Sequence, residues 1–260
     1  MFVSEEEILL SSDFIKNGFV KKKAEDIKSL DFIKSQLENI ALSYKGFKNS
    51  KNIDLENIHD HISPENLNDF RLYCINQISR NNDLRFSYYK VFKKFTDLLI
   101  GNELAMQKKL NLSIQLPNDN SSLLTIHADT WSGDSPFETV CWLPMVDCRK
   151  SMCMFILPAY NYKFFEERYS ELKNINSNDI LESLKDKLIW IEINYGEVMV
   201  FNQNLPHGNI VNSEENTRWS FNCRFKSIFT PYKDKKLGEF FEPITLKATS
   251  KVGLNYKFPS

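Results

Sequence analysis

The sequence predicts an α+β chain in which helices come first and a β-sandwich or barrel follows. Three observations predict it. In the first 110 residues, apolar side chains recur three and four places apart, the spacing of helices with one buried face. After Leu110 the pattern changes to alternation and to short apolar runs. These runs are brief, numerous and joined by long connections, as expected of an antiparallel sheet folded on itself beside a helical layer.

The elements follow in order. Ser4 with Glu7 three residues on has the form of a capping box and opens a short helix. Residues 13–20 read as a helix end, a turn at Gly18 and a short strand. Ile27, Leu30, Ile33, Leu37, Ile40 and Ala41 give an amphipathic helix over about 26–44. Residues 45–61 are polar and irregular, a loop. Ser63 and Pro64 start a helix running to about 79, with a capping hydroxyl and then Pro at its first position. Tyr88, Val91, Phe92, Phe95, Leu98, Leu99, Leu104 and Met106 place another over about 84–109, with Gly101 as a candidate break. Strands are expected at 111–116, 122–129, 137–146, 151–157, 188–193, 198–202 and 217–228. A polar, helical insert is expected at about 162–187. The tail from 231 holds Pro231, Pro243 and Pro259 and reads as irregular. We expect a single domain over 1–260: a mainly helical part at 1–110, a β core at 111–230 and the tail.

Composition excludes some functions. The chain has 260 residues, 42% hydrophobic, enough for one sizeable core. Its 33 basic and 34 acidic residues nearly balance, which argues against a nucleic-acid or membrane-surface partner. Only 8 glycines occur, and neither Gly-rich phosphate motif is present. No apolar run reaches the ~18 residues that a membrane span needs, and the acidic start does not resemble a signal peptide. Five cysteines, none in a CxxC, most of them in apolar runs, read as buried thiols of a cytoplasmic protein.

His127-Ala128-Asp129 closes an apolar, strand-like run. In extended chain, residues i and i+2 share a face, so an imidazole and a carboxylate project together. Only four histidines occur. His207, between Pro206 and Gly208, sits on a turn after the strand Glu197 to Phe201. Two His and one Asp form the facial triad that suits iron(II) and leaves three positions open. Structural zinc favours four ligands with Cys prominent, and no Cys lies near these three in sequence. Downstream, Arg218, Ser220, Asn222 and Arg224 alternate with Trp219, Phe221, Cys223 and Phe225. One face fits a packed layer and the other a cavity wall. Arg218 offers a bidentate carboxylate clamp and Ser220 adds a hydroxyl, as a 2-oxoglutarate seat requires.

These residues resemble the iron(II)/2-oxoglutarate oxygenases, and more closely the phytanoyl-CoA dioxygenase family. The resemblance is carried by His127-x-Asp129, His207, Arg218 eleven residues later and Asn212 five after His207. It is also carried by residues 140–147 and 155–158, by Gly196 to Phe201, and by the opening segment from Phe14 to Val20. Residues 127–138 are similar to a bacterial subgroup found with carbohydrate-biosynthesis genes. The chain departs from the family at Ala159-Tyr160-Asn161 and in the insert that follows. The resemblance implies a double-stranded β-helix (jelly-roll, cupin-like) core with the N-terminal helices packed outside. It implies Fe(II) on His127, Asp129 and His207, 2-oxoglutarate as cosubstrate with Arg218 and Ser220 on its far carboxylate, and O2 as oxidant. It implies succinate and CO2 as products beside an oxidised substrate.

Further residues are candidates. Gln115 and Asn209 would touch 2-oxoglutarate. Trp131, Asp134 and Glu138, in a loop after the His-x-Asp pair, would contact substrate; the alternative is turn chemistry. Arg224 would bind an acidic substrate group or close a buried ion pair. His59-Asp60-His61 reads as a solvated loop. The expected substrate is a small polar metabolite, first a sugar or glycoconjugate precursor. An amino acid, a lipid, an acyl thioester, and a non-redox sugar-binding or isomerase module stay open. So does the outcome: hydroxylation, desaturation or epimerisation.

Overall fold

The computed structural model describes residues 2–47, 52–172 and 175–259. Positions 48–51 of the expected loop and 173–174 of the expected insert lie outside them, as do the terminal residues 1 and 260.

The helical part begins with α1 (Glu5–Asn17), whose cap Ser4 accepts from the Glu7 N–H at 3.1 Å. Gly18 ends it in the left-handed region, and β1 (Phe19–Lys23) follows. α2 (Ile27–Leu42) is capped by Asp26, which accepts from the Ser29 N–H at 2.9 Å. Such caps contribute about 1 kcal/mol each. In α3 (Pro64–Ser79) the Ser63 hydroxyl makes no cap to the helix backbone; it accepts from the Asn66 side chain instead.

α4 (Asn82–Leu99) stops ten residues short of the expected 109. Gly101, at φ +126°, turns the chain, and Leu104 and Met106 belong to β2 (Leu104–Gln107), a strand buried along its whole length. A strand covered on both faces has no polar alternation, so its apolar residues also fit a helical pattern.

The β part comprises β3 (Asn111–Gln115), β4 (Thr139–Pro144), β5 (Met154–Ile156), β6 (Ile189–Ile191), β7 (Glu197–Asn202), β8 (His207–Asn209), β9 (Arg218–Ser227) and β10 (Phe241–Pro243). The insert between β5 and β6 is two helices, α5 (Tyr162–Leu172) and α6 (Ser177–Leu184). Three expectations fail. Residues 122–129 are mostly extended chain without strand pairing; only His127 makes a bridge. The turn expected at His207 is a strand. The tail is not irregular: β10 pairs with β2, and α7 (Ala248–Asn255) follows.

Strands stack into two antiparallel sheets. The larger runs β1-β7-β4-β9-β2-β10, with β3 sharing the β9 edge beside β2; the smaller runs β6-β5-β8. β9 is the axis of the larger sheet. Its apolar face packs outward on the helices: Phe70 of α3 meets Trp219 edge-on, with centroids 5.9 Å apart, and Tyr88 of α4 meets Phe221. The Tyr88 hydroxyl donates to the Cys141 carbonyl at 2.7 Å, and the Trp219 Nε1–H to the Leu55 carbonyl at 2.7 Å. Both buried polar tips are satisfied, as aromatic residues in a core require.

β5 alternates between two cores. Ile156 joins the main core, and Phe155 joins a second one under the insert with Phe165, Leu172 and Leu184. The layers are therefore helices, large sheet, small sheet, insert. The polar face of β9 looks into the space between the sheets.

Candidate active site

His127 and His207 are paired backbone to backbone. The N–H of each donates to the carbonyl of the other, at 2.9 and 2.8 Å. This bridge ties the extended segment to the β8 edge and sets the imidazoles side by side, with ring centroids 4.4 Å apart. Gly208 permits the approach. A Cβ there would lie 2.7 Å from the Leu124 carbonyl oxygen and 3.0 Å from that of Thr125.

Ala128 is extended (φ −124°, ψ 137°), so Asp129 faces the same way as His127, although Asp129 itself opens a short 3-10 turn. The Asp129 N–H donates to the Gln203 carbonyl at 3.1 Å. One ligand atom from each of His127, Asp129 and His207 falls within 4.8 Å of the others, the single such group of metal-competent side chains among the described residues.

The ring orientations favour a metal. His127 Nδ1 lies 2.8 Å from the Thr125 carbonyl oxygen, and His207 Nδ1 lies 2.8 Å from that of Leu205. A carbonyl only accepts, so each Nδ1 carries the hydrogen and each Nε2 keeps its lone pair. Burial and then the neighbouring His127 push His207 down to about 4, which keeps it neutral near pH 7. Burial alone would raise the Asp129 carboxyl. The Arg224 guanidinium and the two imidazoles outweigh it and hold Asp129 below its ordinary value, as the anion. Asp129 Oδ2 accepts from Arg224 at 2.7 Å, while Oδ1 sits 3.6 Å from His127 Nε2. Two imidazoles whose Nδ1 atoms are engaged by carbonyls, leaving Nε2 to face the site, and a fixed carboxylate are a suitable donor set for a divalent ion.

Arg218 is 4% exposed, and its Nε has no partner. No carboxylate reaches it among the described residues. Its neighbours are the Gln115 Oε1, which accepts from Nη1 at 3.2 Å, and the Trp142 ring, whose centroid lies 5.4 Å away. Burial pulls the guanidinium below its ordinary pKa, and the adjacent thiols of Cys148 and Cys153 act in the opposite sense. A buried cation without an anion costs several kcal/mol, and a bound carboxylate removes that cost.

His127, Asp129, His207, Arg218, Asn222 and Arg224 line one cavity of about 400 Å³ between the sheets. Ser220 is buried on the same strand face, opposite Ser113 of β3, but does not border the cavity.

The other candidates divide. Asn209 borders the cavity, but its Oδ1 accepts from the Leu124 N–H at 2.8 Å and so pins the segment leading to His127. Gln115 lies behind Arg218, with its Nε2 donating to the Ile210 carbonyl. Arg224 takes the ion-pair alternative: Nη2 on Asp129 and Nε 3.3 Å from Asp134, with Nε also donating to Gln203 Oε1 at 2.9 Å. Asp134 and Glu138 do not border the cavity. Asp134 is 2% exposed between Arg224 and Lys235, and Glu138 accepts from Ser135 N–H and Gln203 Nε2. Trp131 stacks on Phe165 of the insert, centroids 5.6 Å apart, also outside the cavity lining. His59 belongs to a 3-10 turn, its Nδ1 2.9 Å from Thr217 Oγ1.

Gln203 and Arg71 were not legible in the sequence. Gln203 bridges Arg224 to Glu138 from the connection before His207. Arg71 of α3 reaches the cavity. A polar residue in a loop or on a helix carries no signal of which side it faces once packed.

No family model matches the chain, and no curated protein matches it in sequence. Solved structures match it in fold. The non-heme monooxygenase ThoJ, as its nickel complex, is 13% identical over 93% of this chain and 85% of that chain, with a TM-score of 0.52. HygX from Streptomyces hygroscopicus with nickel and 2-oxoglutarate bound is 12% identical over 90% of each, at 0.53. The epimerase SnoN, in complex with Fe3+, alpha ketoglutarate and nogalamycin RO, is 12% identical over 87% and 86%, at 0.54. The chain has the jelly-roll fold of these enzymes. Helices α1 to α4 lie outside that core, as the resemblance implied. All five cysteines are free and buried, and no helix among the described residues is long and apolar enough to cross a membrane.

Proposed function

We propose that the chain is an iron(II)- and 2-oxoglutarate-dependent oxygenase of the phytanoyl-CoA dioxygenase type, acting in the cytoplasm on a small polar metabolite. A sugar or glycoconjugate precursor is the first choice. One observation carries the reading: the His127, Asp129 and His207 ligand atoms converge on the same cavity wall as a buried arginine with no carboxylate of its own.

His127 and His207 would hold iron through Nε2 and Asp129 through Oδ1. Bound iron(II) would supply oxygen activation coupled to decarboxylation of 2-oxoglutarate to succinate. The chain's own contributions are binding, orientation and exclusion of water. Arg218, backed by Gln115 and lying over Trp142, would receive the distal carboxylate. Arg224 holds the second oxygen of Asp129, so that carboxylate cannot swing. Val140, Trp142, Met154 and Phe201 give the cavity apolar lining, which would strengthen electrostatic contacts beside it.

The test is purified protein with iron(II), 2-oxoglutarate and air over a broad substrate panel. Succinate formation and the weak visible band of an anaerobic iron–2-oxoglutarate chelate are expected. Binding of neither iron nor 2-oxoglutarate removes the proposal. Tight sugar binding without the band would point to a non-redox module instead.

A further inference from the structure

We infer that the primary substrate carries an anionic group, and that Arg71 is its counter-ion. The inference rests on the oxygenase reading above and names the substrate class: a small anionic polyol, either a sugar acid or a sugar phosphate.

Among the described residues three arginines border the cavity, and Asp129 is the one acidic residue that does. Arg224 is consumed by Asp129 and Asp134. Arg218 is matched to the distal carboxylate of the cosubstrate. The other carboxylate of the cosubstrate would face the charge of the metal beside Asp129, which Arg224 already shares, so no anion is spare for Arg71. Arg71 is left over. Its Nη2 donates to Asn68 Oδ1 at 2.9 Å and its Nη1 to Ser122 Oγ at 3.4 Å, both neutral. No carboxylate lies within ion-pair distance of it among the described residues. A substrate covering this half-buried cation would strip its water, so a neutral substrate would leave it uncompensated. A carboxylate or phosphate matches the planar fork of the guanidinium.

The neighbouring wall explains the polyol. Ser121 and Ser122 flank Arg71 at the cavity, and Asn222 borders it from β9. The Asn222 carbonyl already accepts from Asn111 Nδ2 at 2.8 Å, so its amide hydrogens have no protein partner among the described residues. Hydroxyls and amide donors suit sugar hydroxyls. An acyl chain would bury the Asn222 amide hydrogens unpaired, at about 1–3 kcal/mol.

The experiment uses the protein loaded with nickel(II), which does not turn over, and 2-oxoglutarate. Affinity for 2-oxoglutarate is measured first; its absence would remove the oxygenase reading itself. Glucose, glucuronate and glucose 6-phosphate are then titrated by calorimetry against wild type, Arg71→Gln and Arg71→Lys. At least one charged probe should bind at least tenfold more tightly than glucose, and which one separates a carboxylate from a phosphate site. Arg71→Gln should erase the preference and Arg71→Lys should keep part of it, both with unchanged affinity for 2-oxoglutarate. Equal affinity for the three probes, no binding of any of them, or a preference that survives in Arg71→Gln would each overturn the inference.

Discussion

At the scale of single residues, the site is built from side chains whose second contact fixes the first. His127 uses its backbone for the bridge to His207, so His127→Ala should abolish turnover and leave the melting temperature close to wild type. Turnover in that variant would remove the metal assignment. Asp129 differs, because Arg224 loses a charged acceptor. Asp129→Ala should abolish turnover and also cost roughly 1.5–3 kcal/mol of stability, with Asp134 limiting the loss. Denaturant titration of the two variants separates these outcomes. Arg218→Ala should raise the 2-oxoglutarate requirement roughly 10–100-fold with little change in saturated turnover. An unchanged KM would place the cosubstrate elsewhere.

Protonation belongs to the same scale. His207 has a folded value of about 4 against 6.5 unfolded. Between those limits the unfolded chain binds a proton that the folded chain refuses. Stability of the metal-free protein should therefore fall as pH drops from about 6.5 to about 4, by about 3 kcal/mol if no other group intervenes. Asp129, held low in the folded state, adds a further loss only below its ordinary 3.8. Thermal melts between pH 7 and pH 4 should show the slope, and His207→Gln should flatten it.

At the scale of elements, the determining contact is between the extended chain at 123–127 and β8. Leu124 is held twice: its N–H donates to Asn209 Oδ1, and its carbonyl accepts from the Asn209 N–H at 2.9 Å. Gly208→Ala would push a methyl group into the Leu124 and Thr125 carbonyls. Backbone oxygens cannot rotate away as a side chain can, so the segment bearing His127 should shift. We expect metal affinity to fall at least tenfold, while the packing of α3 and α4 on β9 is untouched. Metal titration followed by calorimetry measures it; wild-type affinity would show that the segment is not held there. The loop after Asp129 is tied instead to the insert and the tail, through Trp131 on Phe165 and Ser135 on the Pro231 carbonyl. These contacts give the loop a structural role, one of the two readings, substrate contact or turn chemistry, that the sequence had left open.

At the scale of the whole molecule, β9 joins the parts. Its outward face anchors the helical layer, and its inward face supplies Arg218 and Arg224 to the cavity. Metal and cosubstrate would bridge the two sheets, His127 and His207 on the small one and Arg218 on the large one. A ligand at 100 times its Kd adds about 2.7 kcal/mol, or roughly 5–10 °C for a chain of this size. Iron(II) and 2-oxoglutarate together should raise the melting temperature by at least that much, and a chelator should return it. No shift on addition of both would mean that the sheets are not linked through the site. Trp219→Ala tests the outward face. Loss of a fully buried indole that Phe70 packs against should cost about 3–5 kcal/mol, read from denaturant midpoints.

The amino-acid sequence by itself determined the order of helices and strands, because periods of 3.6 and 2 are local properties of which residues must be buried. It determined the two faces of β9 for the same reason, and it singled out His127, Asp129 and His207 because few side chains have their chemistry. It misplaced the end of α4, gave a strand at 122–129 where the structure has none, and missed β8, β10 and α7. Residues in strands buried on both faces, and strands of three residues, have no period to show. Only the tertiary structure decided which polar residues meet. It put Arg224 on Asp129, left Arg218 without a carboxylate, buried Asp134 and Glu138 away from the cavity, and brought Arg71 from α3 to its wall. Those outcomes depend on contacts between segments far apart in the chain, 95 residues for Arg224 and Asp129 and 103 for Arg218 and Gln115, and on burial, which sets the cost of an unpaired charge. Neither quantity is written in the spacing of residues along one chain.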